Sequence, residues 1–478
     1  MSDTSPSEKK PKSPLREMVQ PFIDFARAPR ALWGINLAYI IEGTVYFGML
    51  NYLHMYFNEY VHLDDVWANR MVGVLTAGIT FSMFILGFVA DKWGVRFAII
   101  SAFTLMLGGR TLLSLGPTLG LPSEGMGSAL HLTAMGGILL ILIGYGMYQP
   151  GAYTAVRKFT TAKTAPMGFA MLYALMNLGI VATAGFGPIR NAIGISGAYW
   201  VFVGLTVVAL ALTLAILSRK TVERAIAEAK AVREREQEKS SADKPAEDKG
   251  SEPADGDVAE AAGSSIWQWL KNHPLANAKF SFFIFCLIPV QTLFAHQWLT
   301  MPMYVERGFA DGWPWISKYF ELALALNPIL VFIFVPTVTA LTQKRSVYNM
   351  MIVGTLVMAA PTFLLVLGPS PWTLFSYILL MTLGESMWQP RFLQYAAEIA
   401  PEGRTGVYMG VAQLPWFLTK MLVPIYAGVF LQRYCPQDGE TNTQMMWLIY
   451  ACIAMTSTVM LIMAKGWIGK DFKTKHDG

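Results

Sequence analysis

Ala325-Leu-Asn-Pro-Ile-Leu-Val-Phe-Ile-Phe-Val-Pro336 places two prolines inside one uninterrupted apolar stretch. In water each proline would remove a helical hydrogen bond and clash with the preceding turn, and the helix would break. In a bilayer, neighbouring helices re-satisfy the freed carbonyls, so proline is tolerated and marks a bend. Similar apolar stretches recur on both sides of this one, several with polar residues in their interiors. The pattern is that of an all-α polytopic membrane protein and not of a soluble enzyme.

Composition supports this. The 478 residues are 54% hydrophobic and only 14% charged, where a soluble chain carries roughly a quarter charged residues, and the mean hydropathy is +0.41. A spanning helix needs about 20 apolar residues, and twelve such segments with short loops account for nearly the whole chain. The net charge of +5 is no sign of nucleic-acid binding, because the basic residues fall in the loops. Cys286, Cys435 and Cys452 are too few and too scattered for a disulfide framework or a thiolate metal site. Met1 to Pro14 is polar and lacks an apolar core, so no cleavable signal peptide is expected, and the first span would drive insertion.

We place spans near 32–60, 68–90, 95–116, 131–155, 166–189 and 196–218, and again near 278–304, 315–341, 346–368, 372–396, 405–432 and 443–466. Two six-helix halves, 31–218 and 278–466, thus flank a polar linker at 219–277. Arg219 to Lys239 has a charged helical pattern, and Ser240 to Ser265 buries too little apolar surface to fold. Basic residues cluster in alternate loops: Lys9 to Arg30, Lys92 and Arg96, Arg157 to Lys163, Lys344 and Arg345, and Lys470 to Lys475. The positive-inside rule makes that side cytoplasmic and puts the tails at 1–30 and 467–478, with the linker, inside the cell at its inner membrane. Leu15 to Phe25 has the spacing of an interfacial helix, with an unstructured tail as the alternative.

Six spans, a linker and six spans resemble the layout of the major facilitator superfamily, whose halves are repeats with substrate bound between them. Gly87-Phe-Val-Ala-Asp91-Lys92-Trp-Gly94-Val-Arg96 resembles that superfamily's cytoplasmic loop motif, Gly-x-x-x-Asp-Arg/Lys-x-Gly-x-Arg/Lys. Its glycines permit a tight turn, and Asp91 offers a carboxylate to a helix N-terminus or to a cation of the opposite half, a contact that would gate the cycle. The simpler reading is a charged turn at a membrane exit.

Within the superfamily the chain resembles the proton-dependent oligopeptide transporters. Gly146-Met-Tyr-Gln149-Pro150 is similar to that family's Gly-x-x-Lys-Pro, and Phe169 through Tyr173 and Asn177 to Gly179 is similar to its span-five signature. Gln291, Leu326-Asn327-Pro328 with Pro336, and Gly384-Glu385 through Pro401 to Gly410 follow in the family's order. The departures bear on function. In Tyr39-Ile-Ile-Glu42-Gly43-Thr44-Val-Tyr46-Phe47-Gly48 the family's arginine has become Gly43, and the span-four lysine has become Gln149. The resemblance links both cations to the peptide carboxylate and to proton coupling, so their absence points away from the family's usual peptide chemistry.

Two acids remain at mid-span, Glu42 and Glu385. An ionised carboxylate there is costly, so such groups are protonatable, paired with a cation, or lining water. Both are candidates for proton coupling, with a structural hydrogen bond as the alternative. Lys420, Arg391 and Arg110 are the intramembrane cations. Lys420 or Arg391 is expected to pair with Glu385, whereas Arg391 could also snorkel and Arg110 reach the headgroups. Asn36, Tyr46, Gln149, Tyr153, Tyr173, Asn177, Gln291, His296, Asn327, Trp388 and Gln413, with Lys420, supply polar and ring contacts for a small polar organic solute, though each alone could be a packing contact. His296 is also a possible proton acceptor. The sequence has no phosphate-cradling loop, metal-ligand cluster or nucleophile elbow, so neither cofactor nor catalysis is expected. The expectation is a monomeric secondary transporter whose partners are the bilayer, a solute and protons. A proton-independent facilitator or exchanger, and a transporter-derived receptor or assembly protein, stand as alternatives.

Overall fold

The computed structural model describes residues 29–160, 165–242, 273–342, 345–398, 408 and 411–468; the side chains of a few residues within these stretches, Tyr173 among them, lie outside that description. Residues 15–25, most of 240–265 and 399–407, where the span near 405–432 is expected to begin, also lie outside it. All regular structure among the described residues is helical.

The first half holds α1 (Arg30–Glu59), α2 (Asp65–Leu86), the short α3 (Val89–Lys92), α4 (Val95–Thr118), α5 (Ala129–Phe159), α6 (Ala165–Ala182) and α7 (Phe186–Ile216). Linker helix α8 (Arg219–Ala242) follows, burying Val222, Ala225 and Ala229 along one stripe. The second half holds α9 (Ala278–Phe285), α10 (Ile288–Leu299), α11 (Met301–Gly308), α12 (Pro314–Lys318), α13 (Phe320–Thr342), α14 (Val347–Ala359), α15 (Pro371–Glu398), α16 (Leu414–Tyr434) and α17 (Thr443–Ile468). The opening stretch lies in α13, which runs unbroken past Pro328 and Pro336.

Nine runs among the described residues are long and apolar enough to span a bilayer. One of them, Leu175–Ile216, is 42 residues long. At 1.5 Å per residue that is about twice the hydrocarbon thickness. It is divided at Gly194, whose φ of +72° no ordinary helical residue adopts, and both of its arms pack against α1. Adding α1 and α15, whose buried Glu42 and Glu385 dilute their hydropathy, gives the expected twelve.

The bundle has two ends. The distal end carries the loops at 60–64, 119–128, 309–313 and 435–442, and the proximal end those at 87–94 and 217–218. Toward the distal end α2 and α16 seal together. Gly73 faces the Pro424 ring, and a Cβ on Gly428 would lie 2.5 Å from the Asp65 carbonyl oxygen.

Candidate functional site

Glu42 has found a cation. Arg110, reaching across from α4, donates from Nη1 to Glu42 Oε2 at 2.9 Å and from Nη2 to Oε1. Tyr145 from α5 also donates to Oε1, and Arg110 Nη1 donates to Thr206 Oγ1 on α7 at 2.7 Å. Four helices are thereby tied at one fully buried point. Arg110 does not reach the headgroups, and of the three states open to a mid-span acid Glu42 takes the one paired with a cation, since neutralisation offsets the cost of burying both charges.

The neighbouring Gly43 has a packing reason for being glycine. A Cβ there would sit 3.2 Å from the Met176 carbonyl oxygen, and one on Gly179 would sit 2.7 Å from the Ile40 carbonyl oxygen. The backbones of α1 and α6 therefore approach closely where the resemblance places an arginine, and a side chain at position 43 would crowd the Met176 carbonyl.

Glu385 is also buried, at 5% exposure. It accepts from Asn327 Nδ2 at 3.1 Å, and the same amide donates to Thr382 Oγ1 at 2.8 Å. The expected ion pair is not made: among the described residues no cation lies within ion-pair distance of Glu385. Arg391 instead donates to the Thr342 carbonyl at 2.7 Å, near the end of α13. Lys420 Nζ lies over the Trp416 ring, 5.6 Å from its centroid.

The other expected pocket residues separate into two groups. Tyr46 packs on Tyr145, with centroids 5.1 Å apart. Gln149 donates to the exposed Tyr153 hydroxyl at 3.3 Å, and Tyr39 stacks on Tyr148 at 5.6 Å. Gln149, Tyr153, Asn327, Lys420 and Gln413 are at least partly exposed, as a pathway requires. Asn36, Asn177 and Gln291 are buried, and neither the Asn36 amide nor Gln291 Oε1 has a partner. Two residues depart from their expected role. His296 is wholly buried, with its nitrogens against Thr300 and Tyr426 at 2.8 and 3.2 Å and its ring stacked on Tyr450. Trp388 is also wholly buried, its Nε1 directed at Met358 Sδ. Both are core contacts within the second half, because their helix faces turn toward sister helices.

The loop motif folds as its spacing demands. Gly94 takes a φ of +89°, and Arg96 Nε donates to the Leu217 carbonyl at 2.8 Å at the end of α7. Asp91 faces Arg157 and Lys158 at 3.8 and 3.9 Å. Among the described residues its ionic partners are thus in its own half. Lys92 lies near the Trp93 ring, and Gly87 closes α2.

Sequence reasoning missed the distal contacts between the halves. Arg190 on α7 donates to Glu321 Oε1 on α13 at 2.8 Å, and Tyr52 on α1 donates to the same oxygen at 2.8 Å. Arg190 and Asn191 also donate to the Lys318 carbonyl. Reciprocally, Arg307 on α11 grips Asp65 on α2 through two bonds of 2.8 and 3.0 Å, with His54 Nε2 at 2.9 Å from Asp65 Oδ1. Each half thus lends an arginine to the other's carboxylate. These hydrogen bonds and ion pairs between the halves gather at the distal end. Beside Arg307 a cavity of about 710 Å³ is lined by Met55, Asn58, Glu59, Glu306 and Asp311. Burial pushes the Glu306 carboxyl up to about 7, although Arg190 and Arg307 pull it down. The available signal was charge at span ends, which the sequence alone assigns to loops.

The sequence profile of the Major Facilitator Superfamily matches residues 104–424. No curated protein matches the chain. Among solved structures, a peptide transporter of the POT type in complex with alafosfalin superposes with a TM-score of 0.69 at 15% identity, covering 93% of this chain and 96% of its own. A POT family transporter in complex with 5-aminolevulinic acid gives 0.65 at 16%, covering 92% and 97%. The nucleoside transporter NupG gives 0.66 at 13%, covering 91% and 99%. At these identities the likeness is one of fold.

Proposed function

The chain belongs to the major facilitator superfamily, and we propose that it is a proton-coupled carrier of a small polar organic solute working by alternating access at the inner membrane. Transport is the general activity of this fold, and the chain is a multi-pass membrane protein. The proton coupling is read from Glu385. It is buried at mid-span with an amide for a partner and no cation, so its charge is uncompensated whenever it ionises, and its proton occupancy must respond to whichever side admits water. Glu42, already neutralised by Arg110, holds the first half together.

The distal ion pairs close one end in this conformation. With the proximal end cytoplasmic by the positive-inside rule, the state is inward-facing, and the Arg190–Glu321 and Arg307–Asp65 pairs part when the halves rock outward. The solved structures of like fold hold alafosfalin or 5-aminolevulinic acid, or are of a nucleoside transporter; the substrate proposed here is a peptide-like compound, a nucleoside or an amino-acid derivative.

The test is uptake into proteoliposomes of a solute identified by thermal stabilisation of the purified chain. With an inward proton gradient, the wild type accumulates solute and Glu385→Gln does so at least about tenfold less. Exchange of solute without a gradient persists in the variant. Gradient-driven accumulation that survives Glu385→Gln overturns the coupling; gradient-independent equilibration by the wild type makes the chain a facilitator.

A further inference from the structure

Lys420 lies within α16, half-buried, with its ammonium over the Trp416 ring. Among the described residues no carboxylate lies within ion-pair distance of it, although Glu385 in the same half also lacks an ionic partner. A lysine at that depth is costly unless it meets an anion. Around it stands a wall of rings. Trp416 stacks on Phe294 at 5.2 Å and on Trp298 at 6.3 Å with planes 14° apart, and Trp388 closes on Phe294 at 6.3 Å. The Trp298 indole N–H is buried and has no acceptor among the described residues.

Two polar groups in this wall are thus unspent, an ammonium and an indole N–H, and both only donate. Two such donors, set among flat apolar faces, complement an anionic oxygen group on a planar or apolar body. Among the described residues the first half's intramembrane positions offer no such unpaired cation. Its Arg110 is consumed by Glu42, Gly43 is pressed against α6, and position 149 is an amide.

Resting on the transport reading above, we infer that Lys420 and the Trp298 N–H, with the face of Trp416, form the subsite for a substrate carboxylate, so that the second half and not the first holds the solute's anionic end. The carboxylate displaces the ring as the partner of the ammonium and accepts the indole proton, gaining charge-assisted bonds in a dry wall. The carried solute is then an organic acid or zwitterion, and its uncharged amide is a poor ligand.

Equilibrium binding to the purified full-length chain tests this, with thermal stabilisation as the readout. The probes are three matched pairs: Ala-Phe and its C-terminal amide, N-acetylphenylalanine and its amide, and indoleacetate and indoleacetamide. In the wild type the acid of at least one pair binds about 10- to 100-fold more tightly than its amide, the range for a charge-assisted bond. Lys420→Gln brings that ratio near one, Lys420→Arg keeps most of it, and Trp298→Phe, which retains a ring and loses the N–H, lowers it about threefold or more. No preference for any acid in the wild type, or a preference that survives Lys420→Gln, overturns the inference. Should Lys420→Gln fail to fold, Trp298→Phe decides, since an unchanged ratio there overturns the inference equally. An acid that binds through Lys420 yet is never moved in proteoliposomes sinks the transport reading and leaves the subsite standing.

Discussion

The two halves carry comparable charges at comparable depth and treat them in opposite ways. In the first, Glu42 and Arg110 are locked together, with Tyr145 and Thr206 filling the remaining bonding positions. In the second, Glu385 has an amide and Lys420 has a ring, and neither has the other. A buried pair fixes its charges, because separating them strands each in a low dielectric. Unpaired groups stay free to gain or lose a proton or an anion. The buried charges of the first half cancel, and those of the second stand without an ionic partner among the described residues.

The largest expected effect breaks the buried pair. Arg110→Leu strands the Glu42 carboxylate and costs about 3–5 kcal/mol, read as a lowered unfolding temperature and loss of monodisperse protein. Adding Glu42→Leu to it recovers much of that cost, because the pair is replaced by apolar packing. A single Arg110→Leu variant as stable as Lys420→Gln would erase the contrast between the halves.

A second effect concerns the distal pairs, which are fully partnered like Glu42 but join the halves. Arg307→Gln removes charge-assisted bonds each worth about 1.5–3 kcal/mol, and so shifts the balance between distal-closed and distal-open states about 10- to 100-fold. Spin labels on Glu124→Cys and Ala310→Cys, in a cysteine-free background, report it as a longer distance population. An unchanged distribution would mean that the apolar contact of Gly73 with Pro424 holds this end without the ion pair.

The smallest effect sharpens the contrast at Glu306, an acid close to two arginines that both serve other carboxylates. Its pKa is raised in the folded protein to about 7, so the folded state holds this proton more tightly than the unfolded one. Stability from this group is complete below about 4.5 and falls as pH rises through about 7. Glu306→Gln flattens the unfolding temperature against pH across that window. A slope unchanged by the substitution assigns the dependence to other groups.

Much of this was legible without coordinates. The span count follows from apolar runs set against a fixed bilayer thickness, and it survives even where Leu175–Ile216 runs on, because Gly194 marks the break. The turn within the loop motif was legible because a tight turn at a membrane exit requires particular residues at particular spacings, and Gly94 takes a φ of +89° there. Partners were not. Glu42 and Arg110 are 68 positions apart, and Arg307 and Asp65 are 242 apart; nothing in either local sequence names the other. The face each helix turns inward was equally hidden for His296 and Trp388, since an all-apolar helix has little periodicity to read.

The sequence by itself determined that the chain spans a membrane many times, in two sixes around a polar linker, because hydrocarbon admits only helices whose backbone bonds are internally satisfied. Only the tertiary structure decided which buried charges cancel and which remain. Coulomb energy depends on separation in space and on the local dielectric, and neither is written in the order of residues along the chain.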